Sequence, residues 1–357
     1  MAKRDLKVGR TVQRGHNHGG LRQAAVKVID RRVMGSGSVA LPCVPALLDS
    51  YVERLCTMWT ALGRTFSASE REQLREGLAG VLRAGFEHSP HTLMVVNYEA
   101  RPAPKSTLAY TLQLQERSVE SYYEAWAGMP AGAHFGKHAD AMVLALARQL
   151  TPGAHVLDVG AGHGRNSVPL CKLGLKVDAL EPVESLCDEM RAQRARAALE
   201  LSVIRGDLLD PELELASERY QLVILSEIVS HFRDSAQLQG ALAKLSAALA
   251  RDGLLAMNVF VCDDGYTPEA LVRQAAQVAL SSSFTRSELL TATQQLPLGL
   301  LRDEPALDYE RDHVPPEAWP PTPWFEGWSE GRNIFDVPGQ VPPIRLRWLV
   351  YQKRGTS

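Results

Sequence analysis

The chain has 357 residues, of which 45% are hydrophobic and 22% charged, a composition typical of soluble globular proteins that excludes fibrous and wholly disordered classes. Its 39 Lys and Arg residues nearly balance 41 Asp and Glu residues, so no chain-wide basic field points to nucleic acid. Five cysteines without a CxxC pair predict neither a zinc cluster nor a disulfide framework, and they favour a reducing, cytoplasmic compartment. No apolar run reaches the roughly 18 residues of a membrane span, so no membrane partner is predicted.

The N-terminal part of the chain predicts a basic tail followed by a mainly helical region. Residues 1–40 are rich in Lys, Arg and Gly and show little apolar periodicity, which favours a flexible tail with at most one short element. Apolar residues three and four positions apart in 41–90 predict two helices, the second preceded by a capping box at Ser67–Glu70. Loose alternation over 92–116 predicts two short strands. We therefore expect residues 41–130 to form a mainly helical cap or substrate region.

From residue 139 onward, short apolar strands alternate with helices. The predicted strands are 156–159, 176–180, 201–204, 221–225 and 254–260. Strands that alternate with helices at this spacing form a parallel sheet covered on both faces. The sequence therefore predicts an α/β core over 131–262.

After residue 262 the alternation loosens, and the core is expected to resume over 284–354. The alternating segment 343–352 predicts a closing strand. Five prolines and three tryptophans in 315–328 exclude a regular helix or a central strand there. We therefore predict insertions near an acceptor site at 263–283 and 310–342.

A glycine-rich turn follows the first strand of this core, with glycine at positions 160, 162 and 164. Glycine allows a tight turn and lets a ligand approach the backbone closely. A dinucleotide fold would instead require G-x-G-x-x-G, which brings a pyrophosphate to the helix N-terminus. Here Arg165 occupies the position of the third glycine, and Asp158 before the turn would repel a pyrophosphate but suits a cationic amino group.

Two more acidic residues follow the next two strands. Glu181 lies 23 residues after Asp158, where a carboxylate can bind both hydroxyls of a ribose. Asp207 follows the third strand and can accept a hydrogen bond from an adenine amino group. These residues together predict a nucleoside without phosphate and with a cationic tail, which is S-adenosyl-L-methionine.

The motif VLDVGAGHGRN, followed by ALEP, GDLLD, LVILSEIVSHF and DGLLAMNVF, resembles the class I S-adenosylmethionine-dependent methyltransferases. The resemblance covers about 155–262, and its GRN triplet is similar to the tellurite-resistance-type branch. It implies a Rossmann-like, seven-stranded, mostly parallel sheet with helices on both faces and one antiparallel strand near the C-terminal edge. It also implies cofactor contacts at Asp158, Gly160, Gly162, Glu181, Asp207, Ser226 and Glu227, to which the prediction adds the neighbouring Ala161, Asn166, Pro182 and Leu208.

Aromatic residues on both sides of the core are candidates for the reacting end of the site. Aromatic faces can hold a sulfonium, and Tyr123 and Trp126 precede the core; a packed aromatic helix face explains them as well. Trp126, Trp324 and Phe325 are the candidate substrate contacts. The surrounding segment predicts either a lid over an apolar acceptor or a proline-stiffened wrap over the sheet.

Two histidines are candidate catalytic residues. An oxygen acceptor can require a base, and histidine is the usual one near neutral pH. His231 follows the fourth strand at the rim where open α/β sheets bind ligands, and it resembles a histidine common at this place in the family. His313 precedes the tryptophan segment. The H-x-H and H-x-x-H pairs elsewhere are weak metal signals, so no metal site is predicted.

Three functions follow from the sequence. The first is methyl transfer to a small molecule, at an oxygen of an apolar or aromatic metabolite. The second is methylation of a protein, peptide or nucleic acid with the basic tail as tether, although no amino-methylation motif follows the fourth strand. The third is a non-catalytic protein that binds the cofactor. The sequence leaves a homodimer open.

Overall fold

The computed structural model describes residues 18–30, 32–101, 107–127 and 136–355. The chain forms two compact units. Of the described residues, the smaller unit comprises 18–30, 32–41, 47–84, 93–101 and 107–115, and the larger comprises 42–46, 85–92, 116–127 and 136–355.

The smaller unit combines helices with a three-stranded sheet. Its elements are α1 (His18–Asp30), β1 (Gly35–Pro42), α2 (Leu48–Thr60), α3 (Ala68–His88, whose last residues belong to the larger unit), β2 (Leu93–Arg101) and β3 (Thr107–Gln115). The strand order is β1-β2-β3, and β2 pairs with β3 in antiparallel register. The buried Trp59 stacks on Tyr110 at 5.3 Å between ring centroids.

One expectation for this region needs correction. Residues 18–30 form a helix and 35–42 a strand, so the predicted flexible tail does not hold for these residues; residues 1–17 lie outside the described part of the chain. Residues 48–60, 68–88 and 119–127 are helical, as predicted for 41–130, and two further segments add strands to β1; a role as a cap or substrate region stays a prediction. The two strands predicted over 92–116 are present, as is the hydrogen-bonded pair of Ser67 and Glu70 before α3.

The larger unit is an α/β layer structure. Its helices are α4 (Val119–Ala127), α5 (Ala141–Ala147), α6 (Ser167–Lys172), α7 (Glu184–Ala197), α8 (Ser235–Ala248), α9 (Ala270–Val278), α10 (Arg286–Thr293), α11 (Ala306–His313) and α12 (Phe325–Ser329). Its strands are β4 (His155–Val159), β5 (Lys176–Glu181), β6 (Leu201–Arg205), β7 (Tyr220–Leu225), β8 (Leu249–Cys262), β9 (Ser283–Phe284), β10 (Leu298–Pro305) and β11 (Ile344–Lys353).

The strand order confirms the predicted fold class. Seven strands follow the path β10-β11-β8-β7-β4-β5-β6, and the two-residue β9 pairs with β8. The strands β4 to β8 are parallel to one another, whereas β11 is antiparallel to β8 and β10. The closing strand is therefore the predicted antiparallel strand near the C-terminal edge.

Apolar residues of the central strands alternate between two buried clusters, which explains the near-continuous apolar runs in the sequence. Val156 and Ile224 belong to one cluster, and Leu157 and Val223 belong to the other. From β4 the chain first adds β5 and β6 on one side and then returns to add β7 on the other. This reversal of strand order places a ligand crevice at the carboxyl ends of β4, β5 and β7.

Candidate active site

A cavity of about 640 Å³ lies at this reversal of strand order in the larger unit. Its size is within the range of about 300–1,000 Å³ that is usual for small-molecule sites. It is lined by twelve of the predicted site residues: Tyr123, Asp158, Gly160, Ala161, Gly162, Asn166, Glu181, Pro182, Ser226, Glu227, His231 and Trp324. The cavity therefore brings together residues from the ends of β4, β5 and β7, from α4 and from the segment 310–342.

The turn after β4 requires glycine at positions 160 and 162 for different reasons. Gly160 has φ +66°, and a Cβ there would lie 2.0 Å from Cδ1 of Ile228. Gly162 has φ +58°, and a Cβ there would meet nothing within 4 Å. Because Gly162 lines the cavity, its missing side chain leaves room for a ligand against the backbone.

We expect Gly162→Ala to weaken binding of S-adenosylhomocysteine by more than about tenfold, because the new methyl group and the strained backbone both disturb the cofactor wall. The matched control is Gly153→Ala. Gly153 has φ +82° and the same empty surroundings, but it does not line the cavity. Isothermal titration calorimetry of both variants separates backbone strain from loss of ligand space; equal affinities would contradict this use of Gly162.

Glu181 at the end of β5 fixes the glycine turn. Its Oε2 accepts a hydrogen bond from the amide of Gly162 at 2.8 Å, and its Oε1 accepts one from the amide of Val183 at 2.9 Å. Burial raises the pKa of Glu181, while these two amides act in the opposite sense. Each carboxylate oxygen keeps a further acceptor site, so the side chain can still bind a ribose hydroxyl.

Asp158 at the end of β4 is only 2% exposed. Its Oδ2 accepts a hydrogen bond from the hydroxyl of Ser167 at 2.6 Å. Burial raises the pKa of Asp158 to about 6, although this hydrogen bond lowers it. Asp158 therefore joins β4 to the first residue of α6 and keeps little surface for a ligand.

Arg165 and Asn166 of the GRN triplet bind Asp140 beside the cavity. Arg165 forms ion pairs with Asp140 and, at 2.9 Å, with Glu227. Asn166 exchanges two hydrogen bonds with Asp140, and the hydroxyl of Ser226 donates to the same carboxylate at 2.6 Å. Sequence analysis missed the roles of Asp140 and Arg165; an arginine directly after three glycines was the available signal.

His231 and Tyr123 meet at the other side of the cavity. Oη of Tyr123 lies 3.1 Å from Nε2 of His231, and the ring centroids are 5.6 Å apart. Nδ1 of His231 is buried. Burial lowers the pKa of His231 to about 4, helped by His91 and weakly opposed by the carbonyl of Glu227, so the ring is neutral near pH 7.

Residues of the two predicted insertions form an apolar wall of the cavity. Trp324 and Trp328 line it with ring centroids 5.4 Å apart in a T-shaped pair. Nε1 of Trp328 donates to the carbonyl of Leu280 at 3.1 Å, and Asn333 donates to the hydroxyl of Ser281 at 2.6 Å. The segments 263–283 and 310–342 are thus hydrogen-bonded to each other at this wall.

Four predicted site residues do not line the cavity. Asp207 is exposed, and its carboxylate accepts from the amide of Leu209 at 2.9 Å, so it closes its own turn. Leu208 and Phe325 are buried in the core. His313 is exposed at the end of α11, where its ring stacks on Tyr309.

Trp126 was predicted as a substrate contact, but its side chain lies outside the described residues. In the described part of the chain no group of three or more His, Cys, Asp or Glu side chains could hold a metal ion. Within the same ranges, no helix has the length and apolarity needed to cross a membrane.

Comparisons with known proteins agree with this geometry. Residues 156–253 match the model of a family described as a methyltransferase domain. The chain is 28% identical over 108 residues to the ubiquinone biosynthesis O-methyltransferase of Bradyrhizobium diazoefficiens; this stretch is 30% of the chain and 40% of that protein. Recognition of a class I methyltransferase domain with S-adenosylmethionine as cofactor is thereby confirmed for this segment, while the tellurite-resistance-type branch stays a prediction.

Two solved structures with similar folds have low identity to the chain. Phosphoethanolamine N-methyltransferase 2 of Haemonchus contortus has a TM-score of 0.49 and 13% identity, with 70% of this chain and 64% of that chain covered. Geranyl diphosphate C-methyltransferase of Streptomyces coelicolor has a TM-score of 0.46 and 12% identity, with 60% and 75% covered.

Proposed function

We propose that the protein transfers a methyl group from S-adenosylmethionine to a small-molecule acceptor, at an oxygen of an apolar or aromatic metabolite. One observation carries the proposal: a single cavity joins the glycine turn and Glu181 to the Tyr123–His231 pair and the tryptophan wall. The cofactor and acceptor ends of one reaction therefore share one space.

The residues at the β4 and β5 ends suit the cofactor. The space over Gly162 admits a flat nucleoside against the backbone, and the carboxylate of Glu181 can accept both hydroxyls of a ribose. S-adenosylmethionine supplies a methyl group on a positively charged sulfur. The aromatic ring of Tyr123 offers a face that stabilises such a charge without neutralising it.

The opposite end suits an acceptor with a flat apolar body. Trp324, Trp328 and Leu280 give this part of the cavity an apolar lining, and a partly desolvated site favours loss of charge during transfer. The acceptor oxygen must be held about 3–3.5 Å from the methyl group, in line with sulfur. A cavity of this volume, with one apolar wall, can hold a small molecule in that position.

The Tyr123–His231 pair can remove the acceptor proton. As the oxygen attacks, its proton passes to Oη of Tyr123 while the tyrosine proton passes to Nε2 of His231. Because burial lowers the pKa of His231 to about 4, the ring is uncharged at neutral pH but is a weak base. A weak base favours an acidic, phenolic hydroxyl over an aliphatic one.

Methyl-labelled S-adenosylmethionine tests the proposal. We expect the label to enter small molecules of a cell extract, as the gain of one CH₂ unit by mass spectrometry, and Glu181→Ala to abolish it. Protein and nucleic-acid fractions are assayed in parallel, since label there would support the alternative of a macromolecular acceptor. Tight binding of S-adenosylhomocysteine without transfer to any fraction would support a non-catalytic protein.

A further inference from the structure

We infer that Arg165 is a positioning residue that holds the carboxylate of Glu227 as the partner of the cationic amino group of S-adenosylmethionine. The inference rests on the proposed function. It moves the ammonium site from Asp158, which the sequence suggested, to Glu227 at the end of β7.

The structure fixes Glu227 on several sides. Its amide donates to Oδ1 of Asn258 at 2.6 Å, and its carbonyl accepts from the hydroxyl of Ser230 at 3.1 Å. Its φ of +63° is in the left-handed region, a conformation that costs free energy for a non-glycine residue and is concentrated at functional sites. Such restraint favours a side chain with a defined direction.

The guanidinium of Arg165 sets the direction of the Glu227 side chain. Nη2 of Arg165 donates to Oε1 of Glu227 at 2.9 Å, and Nη1 is held by Asp140 on the far side. No described residue donates a hydrogen bond to Oε2 of Glu227. This oxygen is therefore available to a ligand in the cavity that Glu227 lines.

Exposure separates the two candidate carboxylates. Asp158 is 2% exposed and accepts the hydroxyl of Ser167, whereas the Glu227 side chain is 26% exposed. An ammonium group requires direct, charge-assisted hydrogen bonds to an oxygen that it can reach. Glu227 offers such an oxygen, whereas the buried Asp158 contributes its negative charge to the same cavity.

The charge balance around Arg165 favours a cationic ligand. Asp140, Asp158 and Glu227 face one guanidinium, Arg165, which leaves two negative charges uncompensated when all are ionised. Arg332 is the other Lys or Arg in the described cavity lining, and it pairs with Glu330 at 2.7 Å. A ligand ammonium would supply the missing positive charge.

Arg165 also keeps Glu227 ionised. Burial raises the pKa of Glu227 to about 6, and Arg165 lowers it against this effect. Without the guanidinium, desolvation and the neighbouring Asp140 would favour the neutral acid. A neutral Glu227 loses most of its attraction for an ammonium group.

Comparing two ligands tests the inference without an acceptor. S-adenosylhomocysteine carries the amino-acid end, and 5′-methylthioadenosine lacks it but keeps the nucleoside. By calorimetry at pH 7.5, we expect Glu227→Gln and Arg165→Met each to weaken S-adenosylhomocysteine about 10- to 100-fold, as for loss of a charge-assisted hydrogen bond. Affinity for 5′-methylthioadenosine should change less than about threefold, since its contacts are elsewhere.

Three comparisons complete the test. Arg165→Lys should retain more affinity for S-adenosylhomocysteine than Arg165→Met. Lysine keeps the positive charge, but it lacks the guanidinium that binds Asp140 and Glu227 at the same time. The double variant Arg165→Met, Glu227→Gln should bind S-adenosylhomocysteine no more weakly than the weaker of the two single variants, because both substitutions disrupt the same ion pair. Arg191→Gln is the matched control: Arg191 lies on α7, is 41% exposed and pairs with Glu184.

Several results would overturn the inference. Equal losses for both ligands would mean that Arg165 only maintains the glycine turn. A loss with Arg165→Met but not with Glu227→Gln would mean that Arg165 binds the cofactor carboxylate itself. If Arg165→Met does not fold, the nearly isosteric Glu227→Gln decides. Failure of the wild type to bind either ligand would contradict the proposed function as well.

Discussion

Replacing Glu181 with alanine is expected to weaken binding of S-adenosylhomocysteine about 100-fold. The carboxylate lies at the end of β5, lines the cavity and already accepts the amide of Gly162 at 2.8 Å. Its removal eliminates the proposed hydrogen-bond acceptor for the ribose, and it also removes the hydrogen bond that holds the glycine turn. Loss of hydrogen bonds to a charged group is worth about 1.5–3 kcal/mol each, and about 2.7 kcal/mol corresponds to the expected factor.

Calorimetry with both S-adenosylhomocysteine and 5′-methylthioadenosine measures this effect. Glu181→Ala should weaken both ligands equally, because both carry the ribose, whereas changes at Glu227 should affect only the first. Glu184→Ala is the control: Glu184 is three residues further along, is 43% exposed and forms ion pairs with arginines. Unchanged affinity in Glu181→Ala would remove the ribose contact from the proposal.

Replacing Glu310 with alanine is expected to destabilise the larger unit by about 3–5 kcal/mol near pH 6. Glu310 is 1% exposed, and its carboxyl accepts from the amides of Ala141 and Met142 and from the indole of Trp348. Without it, three buried donors lose their partner, and each unsatisfied donor costs about 1–3 kcal/mol. The melting temperature should fall by about 10 °C, while Asp308→Ala on the exposed face of the same helix should leave it nearly unchanged.

The stability contributed by Glu310 should depend on pH in a defined direction. Burial, and then the carboxylate of Asp140, raise the pKa of Glu310 from 4.5 to about 7. Because the unfolded chain releases this proton at lower pH than the folded protein, the contribution is complete below about pH 4.5 and is lost as pH rises to about 7. Glu310→Gln should flatten this part of the curve of unfolding free energy against pH. An identical slope in wild type and Glu310→Gln would contradict the assignment.

Local sequence was enough to predict which strand-end residues lie together at the cavity; their roles in binding stay predictions. Asp158, Gly162 and Glu181 each stand within a few residues of a buried strand, and strand ends of a parallel sheet meet at one edge. The family resemblance added Glu227, and His231 follows the same logic at β7. All five residues line one cavity.

The remaining contacts join residues that are far apart in the chain. Glu310 binds the start of α5 across 169 positions, and Asp140 reaches Ser226 across 86; no local pattern marks such pairs. Asp207, predicted as an adenine contact, lies outside the cavity lining for a different reason. Its carboxylate accepts the amide of Leu209, a local turn bond that competes with ligand binding.

Hydrophobic periodicity did not predict two elements of the smaller unit, α1 and β1. Residues 18–30 form a helix in which every residue is exposed, so no buried face produces a helical pattern in the sequence. The strand Gly35–Pro42 is rich in glycine and small residues, a composition that favours a loop. Its place in the sheet depends on pairing with β2.

A crystal structure with bound S-adenosylhomocysteine tests the central claim most directly. The proposal predicts the ribose hydroxyls on the carboxylate of Glu181, the amino group on Glu227, and sulfur directed toward Tyr123 and His231. A nucleoside found in another cleft, or in this cavity with its sulfur directed away from that pair, would contradict methyl transfer to an acceptor against the tryptophan wall.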